Sequence, residues 1–400
     1  MRITSNMIYD RGIFSIQSLW SNILHAQQEI GTERRILTPA DDPIAAARAL
    51  DVSQSRSINA QYQTNQDYSS DHLKLLENRL AGMEEILQYV RQSAVAAGDG
   101  ILEQSQLNSI ATDMRSQFDS LLTLANTRDA AGDYLFSGYR ADTQPFQGGY
   151  GNVYYAGDQG TRTMQVSSTR FMPVSLPGSD VFDKTRSLEG AINAFTGESN
   201  SGGATASVAF DPVQADPANT GRRYEVSFNG TSYDVIEYQP GNSAPVTVSP
   251  VTVTAGPPDT IEFNGLKMEV SGTPDNGDSF EVFVASKNVF DNMAIFIDTL
   301  ERPGVSGVIS GVKFIIDNAD CALESSLRAR AQVGSQMIEL EQLGNLTSDM
   351  DLQYADTLSR LQDCDLAEAY SRLTQLQTNL EAAQLSFMKV SGLSLFNYLQ

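Results

Sequence analysis

Residues 71–97 read DHLKLLENRLAGMEEILQYVRQSAVAA, with Leu73, Leu76, Leu80, Met83, Leu87, Val90, Ala94 and Ala97 at alternating spacings of three and four. An a/d seam sustained over more than three heptads predicts a long helix laid along another helix. With its polar lead-in from Asn65 it would reach roughly 50 Å at ~1.5 Å per residue. The run Gly98-Asp99-Gly100 stops it, and a second seam follows in Leu107, Ile110, Met114, Leu121 and Leu124. The short connection predicts an antiparallel partner. Toward the C-terminus Leu366, Ala369, Leu373, Leu376, Leu380, Ala383, Phe387 and Val390 step in the same way, and near the N-terminus so do Ile16, Leu19, Ile23, Ala26 and Ile30. Stripes this narrow serve one or two partner helices and do not enclose a globular core.

The middle of the chain has a different period. RYEVSFNGTSYDVIEY (223–238) sets Asn229-Gly230 between two alternating runs, a strong short-range hairpin signal. IEFNGLKMEV (261–270) repeats the device at Asn264-Gly265, and SFEVFVA continues it with Phe280, Val282 and Val284 on one face. Short strands are also predicted across 150–182, while 198–221, rich in Gly, Ser, Ala, Asn and Pro, reads as a loop. The order helices, strands, helices predicts an α+β chain: long antiparallel terminal helical arms forming a coiled-coil-like bundle, with an inserted mainly-β outer domain. The expected division is residues 1–57 with 345–400 as an inner assembly domain, 58–185 with 286–344 as a helical bundle with short strands, and 186–285 as the β-rich insertion.

Composition narrows the function. The net charge of −22 disfavours phosphate backbones and anionic lipid, so neither nucleic acid nor membrane is an expected partner. No stretch approaches the roughly 20 apolar residues of a spanning helix. Residues 171–290 hold 15 Asp/Glu against 6 Lys/Arg, whereas residues 1–60 hold 6 of each, so the middle reads as solvated and the N-terminal end as made for contact. MRITSNMIYDRGIFSIQSLW has no continuous apolar core or small-residue cleavage site and is not expected to be a cleavable signal peptide. Cys321 and Cys364 fit no metal or redox spacing.

Catalytic chemistry is not evident. His25 and His72, the only histidines, lack clustered Cys or carboxylates at ligand spacing and read as helix-surface residues. No nucleophile elbow or Gly-rich phosphate loop occurs. DNGDSFE (275–281) lacks the twelve-residue calcium pattern and reads as a turn. The pairs Asp349/Asp351 and Asp363/Asp365 read as solvated faces. The adjacent acids of ILTPADDPIAAARAL (36–50) raise metal binding or acid–base work, yet capping accounts for them. Asp42 before Pro43 is an N-cap followed by the residue that tolerates the first helical position, and Asp41 adds charge at the positive end of the helix dipole. The expectation is no enzyme, no cofactor and no metal.

EIGTERRILTPADDPIAAARAL (29–50) resembles the signature of the flagellin family, in which a first helix ends at a Gly-containing turn before an Ala-rich helix. DCDLAEAYSRLTQLQTNLEAAQ (363–384) resembles the family's terminal helix, NTRDAAGDYLFSGYRADTQPF (126–146) its segment leaving the helical domain, and AQVGSQMIELEQ (331–342) its returning seam. These four blocks cover both arms, about half the chain, in family order. MRITSNMIYD and SLFNYLQ (394–400) resemble the ends of the family's hook-associated branch at the hook–filament junction, while filament flagellins start and end differently. The β insertion is larger than a minimal junction member requires.

The resemblance implies a structural adaptor joining hook to filament, exported unfolded through the flagellar type III pathway into the bacterial flagellum. Its ends would be poorly ordered alone and would fold on assembly into paired helices. Implied partners are other copies of itself, a neighbouring hook-associated protein and flagellin, with an export chaperone at the C-terminal helix. The implied assembly seam is Ile16, Leu19, Ile23, Ile30, Leu366, Leu373, Leu376, Leu380, Phe387, Val390, Leu395, Phe396, Tyr398 and Leu399, with Asp42 and Pro43 as the helix cap. Two alternatives stand beside it: a filament flagellin, and a glycan-binding or enzymatic module in the β insertion, which would need a concave pocket with convergent polar groups between 190 and 285.

Overall fold

A computed structural model of the chain describes residues 5–100, 102–183, 192–197, 199–210, 220–242, 244–302 and 307–396, with side chains described between 9 and 389. The chain divides into two units, one drawn from residues 1–64 and 343–400, the other from 65–342. Two helices contribute to both: α2 (Pro43–Ala97) and α5 (Val308–Gln362).

The first unit consists of α1 (Ser5–Thr32), the start of α2, the end of α5 and α6 (Leu366–Phe396). Its buried apolar residues are few, and most are alanines: Ile23, Ala26, Ala45, Ala49, Ala369 and Leu380. Arg56 of α2 makes a two-pronged contact with Asp351 of α5, Nε–Oδ1 2.8 Å and Nη2–Oδ2 3.1 Å, and buried Asn59 donates to the Thr347 carbonyl at 2.8 Å. Polar pairs thus register these helices where little core is available.

In the second unit the heptad seam does what its period predicts. All eight residues from Leu73 to Ala97 are 2% exposed or less. A Cβ on Gly82 would lie 3.0 Å from Leu124, and Tyr89 donates to Asp113, so α3 (Gln104–Ala125) runs antiparallel along α2. Its buried face is Leu107, Ala111, Met114, Phe118, Leu121 and Ala125. The expected Ile110 and Leu124 are only half-buried, because the true 4-3-4-3-4 stripe runs through two alanines and a phenylalanine that a count of large aliphatics passes over. On the other side of α2, α5 is also antiparallel: Gly98 approaches Val312, Arg91 pairs with Asp320, and Arg330 reaches both Glu77 and Glu84. The hairpin β1 (Phe146–Gly149)–β2 (Asn152–Tyr155) and helix α4 (Val289–Glu301) close an aromatic core. There Phe146 meets Phe182 and Phe290 at ring distances of 5.2 and 5.5 Å, and Phe118 meets Phe290 at 5.7 Å. A second short hairpin joins β3 (Thr163–Gln165) to β4 (Phe171–Pro173).

The strands β5 (Ile192–Thr196), β6 (Thr205–Phe210), β7 (Arg222–Phe228), β8 (Tyr233–Tyr238), β9 (Val246–Thr247), β10 (Thr252–Thr254), β11 (Asp259–Phe263), β12 (Leu266–Ser271) and β13 (Ser279–Val284) form two antiparallel sheets, ordered β5-β13-β7-β8-β9 and β10-β11-β12-β6. Tyr224, Val226, Val235, Ile261, Met268, Phe280 and Val282 form one buried cluster from both sheets, as alternating inward faces require. The tandem stretch PVTVSPVTVT (245–254) carries the chain from one sheet to the other, with Val248 buried and Val251 packed on the same core. Tyr150 donates to Asp298 of α4 at 2.6 Å, and the Gly241 N–H reaches the same carboxylate at 3.2 Å, tying the loop after β8 to the helix.

Two readings of the middle need correction. The stretch 198–221 contains strand β6, whose Ala206, Val208 and Phe210 pack on the sandwich core; alternation of small residues was hidden by loop-like composition, and 211–219 lie outside the described residues. The hairpin signalled by Asn229-Gly230 forms between β7 and β8, through a four-residue connection in which Asn229 Oδ1 accepts from the Thr231 and Ser232 amides. Asn264 and Gly265, with φ 45° and 74°, do form the two-residue turn between β11 and β12. The acidic middle is also not wholly solvated, since Glu281 is fully buried against Arg223 with both contacts at 2.6 Å.

Candidate functional site

The terminal helices α1 and α6 pair within the first unit. Gly12 lets them approach: a Cβ there would lie 2.6 Å from the Phe387 ring. Tyr9 meets the same ring edge-on at 5.9 Å. Ile23 and Leu380 are buried, while Ile16, Leu19, Ile30, Leu373, Leu376 and Phe387 are half-buried. Leu366 is 40% exposed in the first turn of α6, so within one chain it is not part of the seam. The side chains of Val390, Leu395 and Phe396, and residues Tyr398 and Leu399, lie outside the described residues.

The same helices carry apolar side chains away from that seam. Ile13, Trp20 and Leu24 on α1 are 46–54% exposed, and Leu385 and Met388 on α6 are 56% and 60% exposed. Ile44, Leu50, Leu346 and Leu352 continue this on α2 and α5. Among the described residues of this unit the large apolar side chains that face solvent outnumber the buried ones. Soluble monomers rarely leave apolar surface in contiguous stripes.

The connections between helices are fixed by backbone and carboxylates. The Arg35 amide donates to the Gln362 carbonyl at 2.7 Å and the Cys364 amide to the Glu33 carbonyl at 2.9 Å, crossing the α1–α2 turn with the α5–α6 turn. Glu33 takes a left-handed φ of 58° to allow this. Asp42 Oδ1 accepts the Ala45 amide at 3.0 Å, the N-cap bond of α2, with Pro43 as its first residue. Asp41 works differently: its Oδ2 accepts the Leu37 and Thr38 amides at 3.0 and 2.7 Å, and the Thr38 bond foremost holds its carboxyl below the usual carboxylate range. Its Oδ1 lies 3.2 Å from His25 Nε2.

Several polar residues read as solvated have structural posts. Asp351 pairs with Arg56, and Asp365 Oδ1 accepts the Ala367 and Glu368 amides, capping α6. The Asp-Leu-Ala-Glu spacing at 365–368 is the signature that could have found this cap. His72 is only 8% exposed, its ring tilted against that of Tyr68 with centroids 4.2 Å apart, and burial pushes its imidazole below its ordinary pKa. Asp278 of the calcium-like stretch spends its carboxylate on the Ser201, Gly202 and Asp275 amides.

Among the described residues no group of three His, Cys, Asp or Glu could hold a metal ion, and no helix is long and apolar enough to cross a membrane. A depression of about 390 Å³ borders β5, lined by Asn193, Phe195, Lys313, Ile316, Asp317 and Asp320. It brings together neither a histidine nor a hydroxyl nucleophile.

Residues 3–141 match the bacterial flagellin N-terminal helical region, and residues 198–283 match the D2-like domain of flagellar hook-associated protein 1. Flagellar hook-associated protein 3 of Salmonella typhimurium is 25% identical over 402 residues, and that of Escherichia coli is 27% identical over 399, each alignment covering 99% of both chains. Over its first third the chain thus resembles a bacterial flagellin, and along its whole length it is similar to flagellar hook-associated protein 3. The crystal structure of Xanthomonas campestris FlgL superposes with a TM-score of 0.55 at 25% identity, covering 77% of this chain and 99% of that one. The flagellin-like match takes in α1, α2 and α3, and the D2-like match spans strands β6 to β13.

Proposed function

We propose that this chain is a structural adaptor of the bacterial flagellum, joining hook to filament by polymerising through its paired terminal helices. The observation that carries this reading is the inverted first unit, with mostly alanines inside and Trp20, Leu24, Leu385 and Met388 outside. Burial of apolar area contributes ~25 cal/mol per Å², so the favourable term these helices lack within one chain is available between copies. Whole-length similarity to proteins named hook-associated protein 3 supports the junction location.

The finer assignments belong to the same proposal. Residues 1–57 and 345–400 are the inner assembly domain, the bundle and short strands form an intermediate one, and the sandwich faces outward. Copies of the chain, a neighbouring hook-associated protein and flagellin cover the exposed stripes, and an export chaperone shields the C-terminal helix during type III export. The seam residues from Ile16 to Leu399 act in that assembly.

Leu24→Glu combined with Leu385→Glu tests this. Both side chains are exposed, so the monomer keeps its circular dichroism spectrum while incorporation at the junction of a strain lacking the protein is lost. Normal incorporation of the double variant would sink the reading. Long filaments grown from purified chain alone would point to a filament flagellin instead.

A further inference from the structure

The inserted β domain carries three Asn-Gly pairs: Asn229-Gly230, Asn264-Gly265 and Asn276-Gly277. At such a pair the glycine nitrogen can attack the asparagine side-chain amide, because glycine has no side chain to obstruct the approach. The dipeptide is the same at all three, so the fold decides among them. At Asn276 the nucleophile is occupied: the Gly277 amide donates to the Phe228 carbonyl at 2.8 Å. At Asn264 the departing nitrogen is held, since half-buried Asn264 donates from Nδ2 at 2.9 Å to Glu237 Oε2, on a side chain only 6% exposed.

Asn229 differs from both. It and Gly230 are exposed, and the Gly230 N–H has no acceptor among the described residues. Asn229 Oδ1 accepts from the Ser232 amide at 2.8 Å and from the Thr231 amide and hydroxyl, each at 3.2 Å. These donors converge on the oxygen that takes negative charge when the amide carbon is attacked, which is how an oxyanion hole works. The bond from Asn229 Nδ2 to Asp234 Oδ2, at 3.1 Å, is to an exposed side chain, where water competes for both groups.

The geometry points to Asn229 as a site of spontaneous modification, at which the side-chain amide is converted to a carboxylate with water as the only co-reactant. The Gly230 nitrogen gives its proton to water and attacks Asn229 Cγ, forming a C–N bond and an oxyanion that Thr231 and Ser232 hold. The Cγ–Nδ2 bond then breaks, Nδ2 takes a proton from water and leaves as ammonia, and a cyclic imide remains. Water opens the imide at Cγ to give aspartate, or at the main-chain carbonyl to give isoaspartate with an extra methylene in the backbone. Nothing is oxidised or reduced. Either product replaces a donor beside Asp234 with an acceptor-only carboxylate, so the β7–β8 turn gains a negative charge and loses that contact. The modification stands independently of the adaptor reading.

The test holds the purified full chain at mildly alkaline pH in water enriched in the heavy oxygen isotope, beside the same chain unfolded in guanidinium chloride. Digestion and mass spectrometry then follow oxygen uptake at each pair, with Asn229→Asp as the product standard. In the unfolded chain the three pairs convert at similar rates. In the folded chain Asn229 keeps at least its unfolded rate, while Asn264 and Asn276 fall about tenfold below theirs, because each must first give up a hydrogen bond. Thr231 is exposed, so Thr231→Val keeps the fold; it removes the hydroxyl donor and slows Asn229 roughly two- to tenfold, in the folded chain only. Folded Asn229 converting as slowly as Asn264 and Asn276, either of those leading it, or a Thr231→Val variant that converts like wild type overturns the proposal. None of these results touches the adaptor reading, which is tested by incorporation at the junction.

Discussion

Asp291, in the first turn of α4, should destabilise the second unit at neutral pH. Burial is the main reason its carboxyl titrates at about 6 in place of 3.8, opposed by a hydrogen bond from Ser286 Oγ at 2.8 Å and reinforced by the charge of Asp183. Below pH ~4 the group is protonated in both folded and unfolded chains and contributes nothing to pH dependence. As pH rises toward 6 the unfolded chain releases the proton while the folded chain keeps it, so stability falls; above 6 the loss is complete. A rise from 3.8 to about 6 corresponds to ~3 kcal/mol. Asp291 is half-buried, and its charge gains up to ~1 kcal/mol from the helix N-terminus. The net gain expected for Asp291→Asn is therefore ~2 kcal/mol at pH 7, shrinking to about zero at pH 4. Urea unfolding followed by near-ultraviolet circular dichroism of the aromatic core, run from pH 4 to 7 on both proteins, measures the difference directly. A difference that stays constant with pH, or a variant less stable at pH 7, would refute the argument that burial outweighs the helix dipole and the Ser286 bond.

Other expectations follow from single contacts. Asp42→Ala removes the N-cap of α2 and should cost ~1 kcal/mol, seen as faster exchange of the Ala45 amide. Arg223→Met strands Glu281 in the sandwich core and should cost ~3–5 kcal/mol, whereas Arg223→Met with Glu281→Leu should recover most of it; equal losses in single and double variants would deny that the stranded charge is the cause. Gly12→Val forces the Phe387 ring to move and should expose α1 and α6 to protease while the fragment 65–342 resists cleavage.

The helical seams were legible because a buried helix face writes its period locally: Leu73 to Ala97 are buried as their spacing demands, and Asp42-Pro43 starts a helix from its own chemistry. Asn264-Gly265 was legible for the same reason, since left-handed backbone at two successive positions selects those residues. Strand β6 was not, because Ala206 and Val208 become an inner face only once β12 lies beside them. His72 read as a surface residue because nothing near it in sequence says that Asp129 comes to lie 3.7 Å from its ring.

What the sequence by itself determined is therefore the repertoire: two pairs of long helices with narrow apolar stripes and hairpins between them. The tertiary structure decided which atoms from distant segments meet. Glu281 became half of a buried ion pair only when β7 brought Arg223 beside it, Asp365 met the free amides of α6 only at its turn, and His25 came between Glu29 and Asp41 only when the α1–α2 turn folded back. The physical reason is range. Periodicity and capping act over a few residues along the chain, whereas desolvation and charge pairing depend on neighbours that sequence distance does not reveal.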